Sequence, residues 1–225
     1  GQDEKLPFHI PLLTALFDKD GNELAAERVL ELCEQRQDFV FENITTEPVV
    51  SALRKFSAPV TLDFEQSDSD LQVLMSYDSD TFNRWEAGQR FATRAIFDLM
   101  TSLAEGKNVD PNPRFIDSMV EIANDKELSP GMLSYLLCLP GHAALSGQLD
   151  VIDPELLQNA RKVLRTAVAD RLQVKFSELY DAMSSDEAYE PSQEQIGRRR
   201  LRNVCLSYLS VASTGNGVEM CATQF

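Results

Sequence analysis

The chain has 225 residues, 43% of them hydrophobic and 25% charged, which suits a soluble globular protein of one large or two ordinary domains and excludes a disordered chain. No apolar run approaches the roughly 20 residues that a membrane-spanning helix needs. Lys and Arg total 21 against 36 Asp and Glu, and the resulting net charge of −15 repels both phosphate backbones and anionic membrane surfaces, so neither nucleic acid nor membrane is an expected partner.

The opening Gly1-Gln2-Asp3-Glu4-Lys5 lacks an initiating Met and the basic-then-apolar order of a signal peptide, so the sequence reads as an excised piece. Cys33, Cys138, Cys205 and Cys221 show no CxxC spacing and have apolar neighbours. Free buried thiols in a reducing, cytoplasmic compartment are therefore expected.

Short runs rich in Val, Ile, Phe and Thr, separated by turn residues, mark residues 6 to 66 as β. Phe8 to Phe17 reads as a first strand with an irregular entry at Pro7 and Pro11. A turn follows at Asp18-Lys19-Asp20-Gly21-Asn22, where Gly21 or Asn22 can take positive φ. In the return run, Ala25-Ala26-Glu27-Arg28 would also suit a helix, so only Val29 to Glu34 is assigned to strand. Phe39 to Ile44, Val49 to Leu53 and Val60 to Glu65 complete the set, the last with Val60, Leu62 and Phe64 alternating against Thr61, Asp63 and Glu65. Five strands are fewer than a complete immunoglobulin-like sandwich carries, and the missing ones are expected upstream of Gly1.

From Ser67 onward the period changes to that of helices. Leu71 to Tyr77 is a short helix after a capping loop. A long one follows, in which Phe82, Trp85, Ala92, Ile96, Leu99 and Leu103 are spaced by 3, 7, 4, 3 and 4 and share a face widened by Phe91, Ala95 and Met100. Trp85 is expected to be largely buried on that face, and Gly106 to stop the helix. Asp110-Pro111-Asn112-Pro113, Ser129-Pro130-Gly131 and Asp153-Pro154 each begin a helix with a capping side chain and an early proline. The helix from Pro154 to about Met183 spreads its apolar residues over more than one side, so it should pack on at least two faces. Ser192 and Gln195 fit a capping box before a stripe of Leu201, Val204, Cys205, Tyr208 and Leu209. Thr214-Gly215-Asn216-Gly217 ends it, and a further helix starts at Val218. No fixed repeat period aligns these helices.

Chemistry-bearing patterns are absent. The only histidines, His9 and His142, are far apart and no H-E-x-x-H occurs, so a metal site is not expected. There is no G-x-S-x-G. Cys205 falls on the apolar stripe, out of phase with Arg198 and Arg202, and reads as a packed thiol. The arginine run at 198–202 is expected to pair within the chain, with Glu194 and the acidic stretch at 186–190. Gly215-Asn216-Gly217 is a turn rather than a dinucleotide loop, and Asn43-Ile44-Thr45 is a chance glycosylation sequon.

A series of short phrases runs end to end: Pro7-Phe8-His9-Ile10-Pro11, Leu16-Phe17-Asp18-Lys19-Asp20-Gly21, Phe39-Val40-Phe41-Glu42-Asn43, Phe56-Ser57-Ala58-Pro59-Val60, Phe82-Asn83-Arg84-Trp85-Glu86-Ala87 and Arg199-Arg200-Leu201-Arg202-Asn203-Val204-Cys205-Leu206. In order and spacing they resemble part of the aminopeptidase N family of zinc peptidases, the gluzincins, and most closely its bacterial alanyl aminopeptidase type. The resemblance implies an α+β multidomain fragment: a partial immunoglobulin-like antiparallel β-sandwich over residues 1–68, then an irregular, solenoid-like α-helical array over 69–225. It also implies that the family's zinc-binding H-E-x-x-H and its G-A-M-E-N motif lie upstream. No catalytic, cofactor-binding or metal residue carries over to this chain, and zinc would belong to the parent's catalytic domain. Expected partners are that catalytic domain and the parent's peptide substrates. The competing expectation is a helical-repeat protein-binding scaffold with a β-sandwich adaptor and no enzymatic activity.

Overall fold

A computed structural model describes residues 7–107, 110–185, 188–215 and 217–224. Two compact units divide the chain, Gly1–Ala87 and Gly88–Phe225.

Three antiparallel strands form the sheet of the first unit: β1 (Ile10–Phe17), β2 (Glu23–Leu32) and β3 (Val49–Ser51), in the order β2-β1-β3. β1 and β2 pair from Ile10 opposite Leu32 to Phe17 opposite Glu23, with irregularities around Leu16. β3 pairs Ser51 with Ala15 and Val49 with Phe17. The Asp18 side chain builds the hairpin turn by accepting from the backbone N–H of Asp20 and Asn22, at 2.8 and 2.9 Å. Gly21 takes the positive φ of 85°, and a Cβ there would run into the Tyr77 ring. β2 begins at Glu23, so the Ala25 to Arg28 segment is strand: pairing with β1 overrides its local helix preference.

Two expected strands do not form. Phe39 to Ile44 is irregular, Val40 is 70% exposed, and Asn43 sits at φ 61°. The Val40 carbonyl accepts from Arg28 Nη2, whose guanidinium also covers the Phe41 ring at 4.1 Å, so a side chain of β2 takes the place of a ladder. Val60 to Glu65 likewise has no strand partner. The neighbouring edge of β3 is instead met by Gln66, which donates from Nε2 to the Val50 carbonyl at 3.1 Å. Alternation was present in this segment, but a strand exists only where another backbone pairs with it.

α1 (Asp68–Tyr77) carries the core of this unit through Leu71, Val73, Leu74 and Met75, which are buried together with Ala15, Leu16, Phe17 and Val49. Ser67 and Asp70 form a reciprocal capping box at its start.

α2 (Thr81–Ala104) runs through the unit boundary. Its buried stripe is Phe91, Ala92, Ala95, Ile96, Leu99 and Met100, whereas Phe82, Trp85 and Leu103 are half-buried. The stripe thus combines Ala92, Ile96 and Leu99 of the expected face with Phe91, Ala95 and Met100 that were expected to widen it, while the expected residues at the two ends of the helix are less buried. Gly106 stops the helix region with φ 70°. In the second unit follow α3 (Pro113–Asn124), α4 (Pro130–Leu136), the five-residue α5 (His142–Ser146), α6 (Pro154–Ala182), α7 (Gln193–Leu209) and α8 (Gly217–Gln224). Asn112, Ser129, Asp153 and Ser192 each accept a backbone N–H of the first turn of α3, α4, α6 and α7 respectively. At α7 only half of the expected box closes: Gln195 turns its Oε1 to the Glu190 N–H instead of to Ser192.

Phe91 meets Phe115 edge to face, with ring centroids 5.5 Å apart. α6 packs on α3 and α7, and α7 also on α4 and α8. The buried residues of α6 (Leu157, Ala160, Leu164, Val168, Ala169, Leu172, Phe176 and Tyr180) form one stripe with steps of three or four, widened at Ala169, against the two neighbours α3 and α7. Its remaining apolar residues flank that stripe or face solvent, as Val174 does. The backbones of α4 and α7 come close at two glycines: a Cβ on Gly197 would lie 2.8 Å from Gly131 N.

Candidate functional site at the strand-to-helix junction

A polar cluster of the first unit lies where β3 leads to α1 and α2. Ser51 is the last residue of β3, and Arg54 begins a single 3₁₀ turn, Arg54–Phe56. Arg54 is 3% exposed and Asp78, the residue that ends α1, 2%. Arg54 Nη1 lies 3.2 Å from Asp78 Oδ1 and Nε 2.8 Å from Glu27 Oε2, so one buried guanidinium joins β2 to the end of α1. Its Nη2 donates to Ser79 Oγ, which in turn donates to Glu23 Oε1. Ser51 Oγ donates to Asp78 Oδ2 at 2.6 Å.

Asp80 finishes the cluster from the α2 side. Its Oδ1 accepts from the N–H groups of Phe82 and Asn83, both at 3.0 Å, which is the N-terminal cap of α2. Its Oδ2 accepts from Lys55 N at 2.9 Å. Asn83 Nδ2 donates back to Ser51 Oγ and to the Ala52 carbonyl. Beside the apolar core, strand, turn and both helices are therefore fastened to one another by charge and hydrogen bonds.

This fastening holds an unfavourable backbone. Leu53, Lys55 and Phe56 have φ of 58°, 53° and 54°, a left-handed region in which non-glycine residues cost roughly 1–3 kcal/mol each. The turn is kept by Lys55 N on Asp80 and by Ser57, whose N–H donates to the Arg54 carbonyl and whose Oγ accepts from Leu13 N. The conformation presents Phe56 66% exposed, its ring 4.0 Å from that of Phe82, which is 5.6 Å from Trp85. Trp85 is thus half-buried among aromatic neighbours near the turn, a correction to the expectation of a largely buried indole on the helical core face.

Burial is the main cause that raises the Asp78 carboxyl above its ordinary range, against the lowering effects of Ser51 and Arg54. Its oxygens are engaged by Arg54, Ser51 and the Asp80 N–H, so the arrangement clamps structure.

The other residues weighed in the sequence are dispersed. His9 lies 3.9 Å from Glu31, and His142 Nε2 meets Gln158 Oε1 at 2.5 Å. Among the described residues no group of three His, Cys, Asp or Glu is placed to hold a metal ion. Cys205 is buried and its thiol is pushed up to about 12 by that burial, which keeps it protonated and unreactive. Cys33 is exposed, and Cys138 and Cys221 are half-buried, so the expectation of four buried thiols holds only for Cys205; all four are free.

The arginine run does pair within the chain, but largely with carbonyls and rings. Arg199 reaches Gln195 Oε1 and covers Tyr189, Arg200 lies 3.5 Å from the centre of the Tyr135 ring, and Arg202 donates to Tyr180 Oη. Asp186 and Glu187 of the expected acidic partner stretch fall outside the described residues. No described helix is long and apolar enough to cross a membrane.

Comparison with known proteins agrees with this architecture. A family model described as a domain of unknown function with an Ig-like fold (DUF3458) matches residues 1–65. A second, described as a domain of unknown function with ARM repeats (DUF3458_C), matches residues 68–225. Aminopeptidase N of Escherichia coli is 29% identical over the whole of this chain, and that of Caulobacter vibrioides 34% identical over 87% of it. A crystal structure of Legionella pneumophila aminopeptidase A in complex with aspartic acid shares 33% identity over 96% of the chain, with a TM-score of 0.82. The chain spans only 26%, 22% and 26% of those three proteins, respectively. It therefore belongs to the DUF3458 family, an Ig-like domain followed by ARM-type helices, and is homologous to the C-terminal region of aminopeptidase N.

Proposed function

We propose that this chain is the non-catalytic C-terminal segment of a cytoplasmic zinc-dependent aminopeptidase that removes N-terminal amino acids from peptides. Its share is to join the catalytic domain to a helical cap over the active site. The observation that carries the reading is end-to-end similarity to one quarter of an aminopeptidase, in a chain whose buried Arg54 and Asp78 face partners within the chain. The residues present do not fit a zinc site, since the only two histidines meet Glu31 and Gln158 in different units. Zinc would accordingly be held elsewhere in the parent. The strained turn and its Arg54 clamp suit a linker that must keep one geometry under load from domains on either side.

A chimera tests the linking role. The region of E. coli aminopeptidase N that aligns with this chain is replaced by it, and hydrolysis of an alanyl anilide is compared with that of an enzyme lacking the region. The reading predicts activity in the chimera and its loss in the deletion. Full activity in the deletion would contradict it. The description of the helical part as ARM repeats also suits a binding scaffold, and that alternative predicts no rescue by the chimera.

A further inference from the structure

Within the helical unit, α6 carries three cations on one surface: Arg161, Lys162 and Arg165. Arg161 and Arg165 are one turn apart and line two adjacent cavities, of about 240 and 230 Å³, which they share. Like charges at this spacing repel on a helix, and a stable pair needs compensation. Among the described residues no carboxylate lies within ion-pair distance of any of the three, in a chain with 36 Asp and Glu against 21 Lys and Arg.

Each guanidinium is instead tied to the backbone by one donor. Arg161 Nε donates to the Pro140 carbonyl at 2.9 Å, and Arg165 Nη2 to the Ser207 carbonyl. A guanidinium has five N–H donors, so both keep most of theirs while their position is fixed. Gln158, on the same cavity wall, spends its Oε1 on His142 and retains its amide donors. Burial and the charge of Arg165 both act to lower the pKa of Arg161, and an anion beside it would relieve both.

We propose that this cleft between α6 and α7 binds a small oxyanion, a carboxylate or a phosphate, held by the N–H donors of Arg161 and Arg165 with Lys162 and Gln158 at its rim. Fixed, half-buried guanidinium pairs without acidic partners are pre-organised for such groups, since little is reordered on binding. The inference is independent of the parent's activity.

The test is a titration of the full chain, with the Arg side-chain N–H resonances followed by NMR. Sodium phosphate and sodium acetate are the two probes, at ionic strength held constant with chloride. Saturable shifts at Arg161 and Arg165, with none at the exposed Arg36, are expected for at least one probe. A response to phosphate alone assigns a phosphoryl group, and to acetate alone a carboxylate. R161Q and R165Q should each weaken binding by about tenfold or more, while K107Q leaves it unchanged. Absence of saturable shifts in the unmodified chain, or equal shifts at Arg36, would overturn the proposal whether or not the variants fold.

Discussion

Arg54 is the residue on which the first unit turns. Its charge is buried and answered by Asp78 and Glu27, so removing it would leave Asp78 as an uncompensated buried carboxylate. R54M, which keeps the volume, should lower the unfolding free energy by about 3–5 kcal/mol in urea titration. A loss below about 1 kcal/mol would place the clamp among ordinary surface pairs. Asp78 adds a pH dependence whose sign follows from its raised folded-state pKa. The folded chain holds this proton more tightly than the unfolded one, for which the ordinary value is 3.8. Stability from the group is therefore fully present below that value and is lost as pH rises through the folded pKa. The difference in unfolding free energy between the unmodified chain and D78N should fall as pH rises from about 4. A difference that grows over the same range would show that Arg54, not burial, dominates the carboxyl.

At the scale of elements, helices were legible in the sequence because their ends are written locally. Asn112, Ser129, Asp153 and Ser192 are all capping side chains, and Gly106 takes the positive φ expected of a stop. Strands were less so. Val60 to Glu65 alternates as a strand should, but its pairing depends on a backbone elsewhere, and Gln66 meets β3 with a side chain. Ala25 to Arg28 shows the converse, a helix-prone run made strand by β1. The contact of α4 with α7 was also invisible, because two glycines 66 positions apart reveal nothing of their meeting until the helices are packed. That contact makes an asymmetric prediction. G197A places its methyl 2.8 Å from Gly131 N and should destabilise by about 1–3 kcal/mol, whereas a Cβ on Gly131 is 3.7 Å from Gly197 Cα and G131A should cost far less. Equal costs in parallel urea titrations would mean that the helices separate freely.

For the whole molecule, the order of phrases along the chain pointed to the right family, and the Ig-like and ARM-type halves follow from it. The junction cluster could not be read the same way. Arg54, Glu27 and Asp78 are each unremarkable charged residues in sequence, and only the fold brings them together across β2, the 3₁₀ turn and α1. Arg161 and Arg165 left a fainter trace, two like charges one turn apart, which acquires meaning only once the cleft beside them is seen. The proposed division of labour, with chemistry in the parent and architecture here, is tested most directly by the purified 225-residue chain itself. Its zinc content after equilibration with the metal, and its turnover of alanyl anilide, are measured on the same sample. The account predicts no stoichiometric zinc and no hydrolysis above buffer, and zinc-dependent turnover that persists through further purification would contradict it.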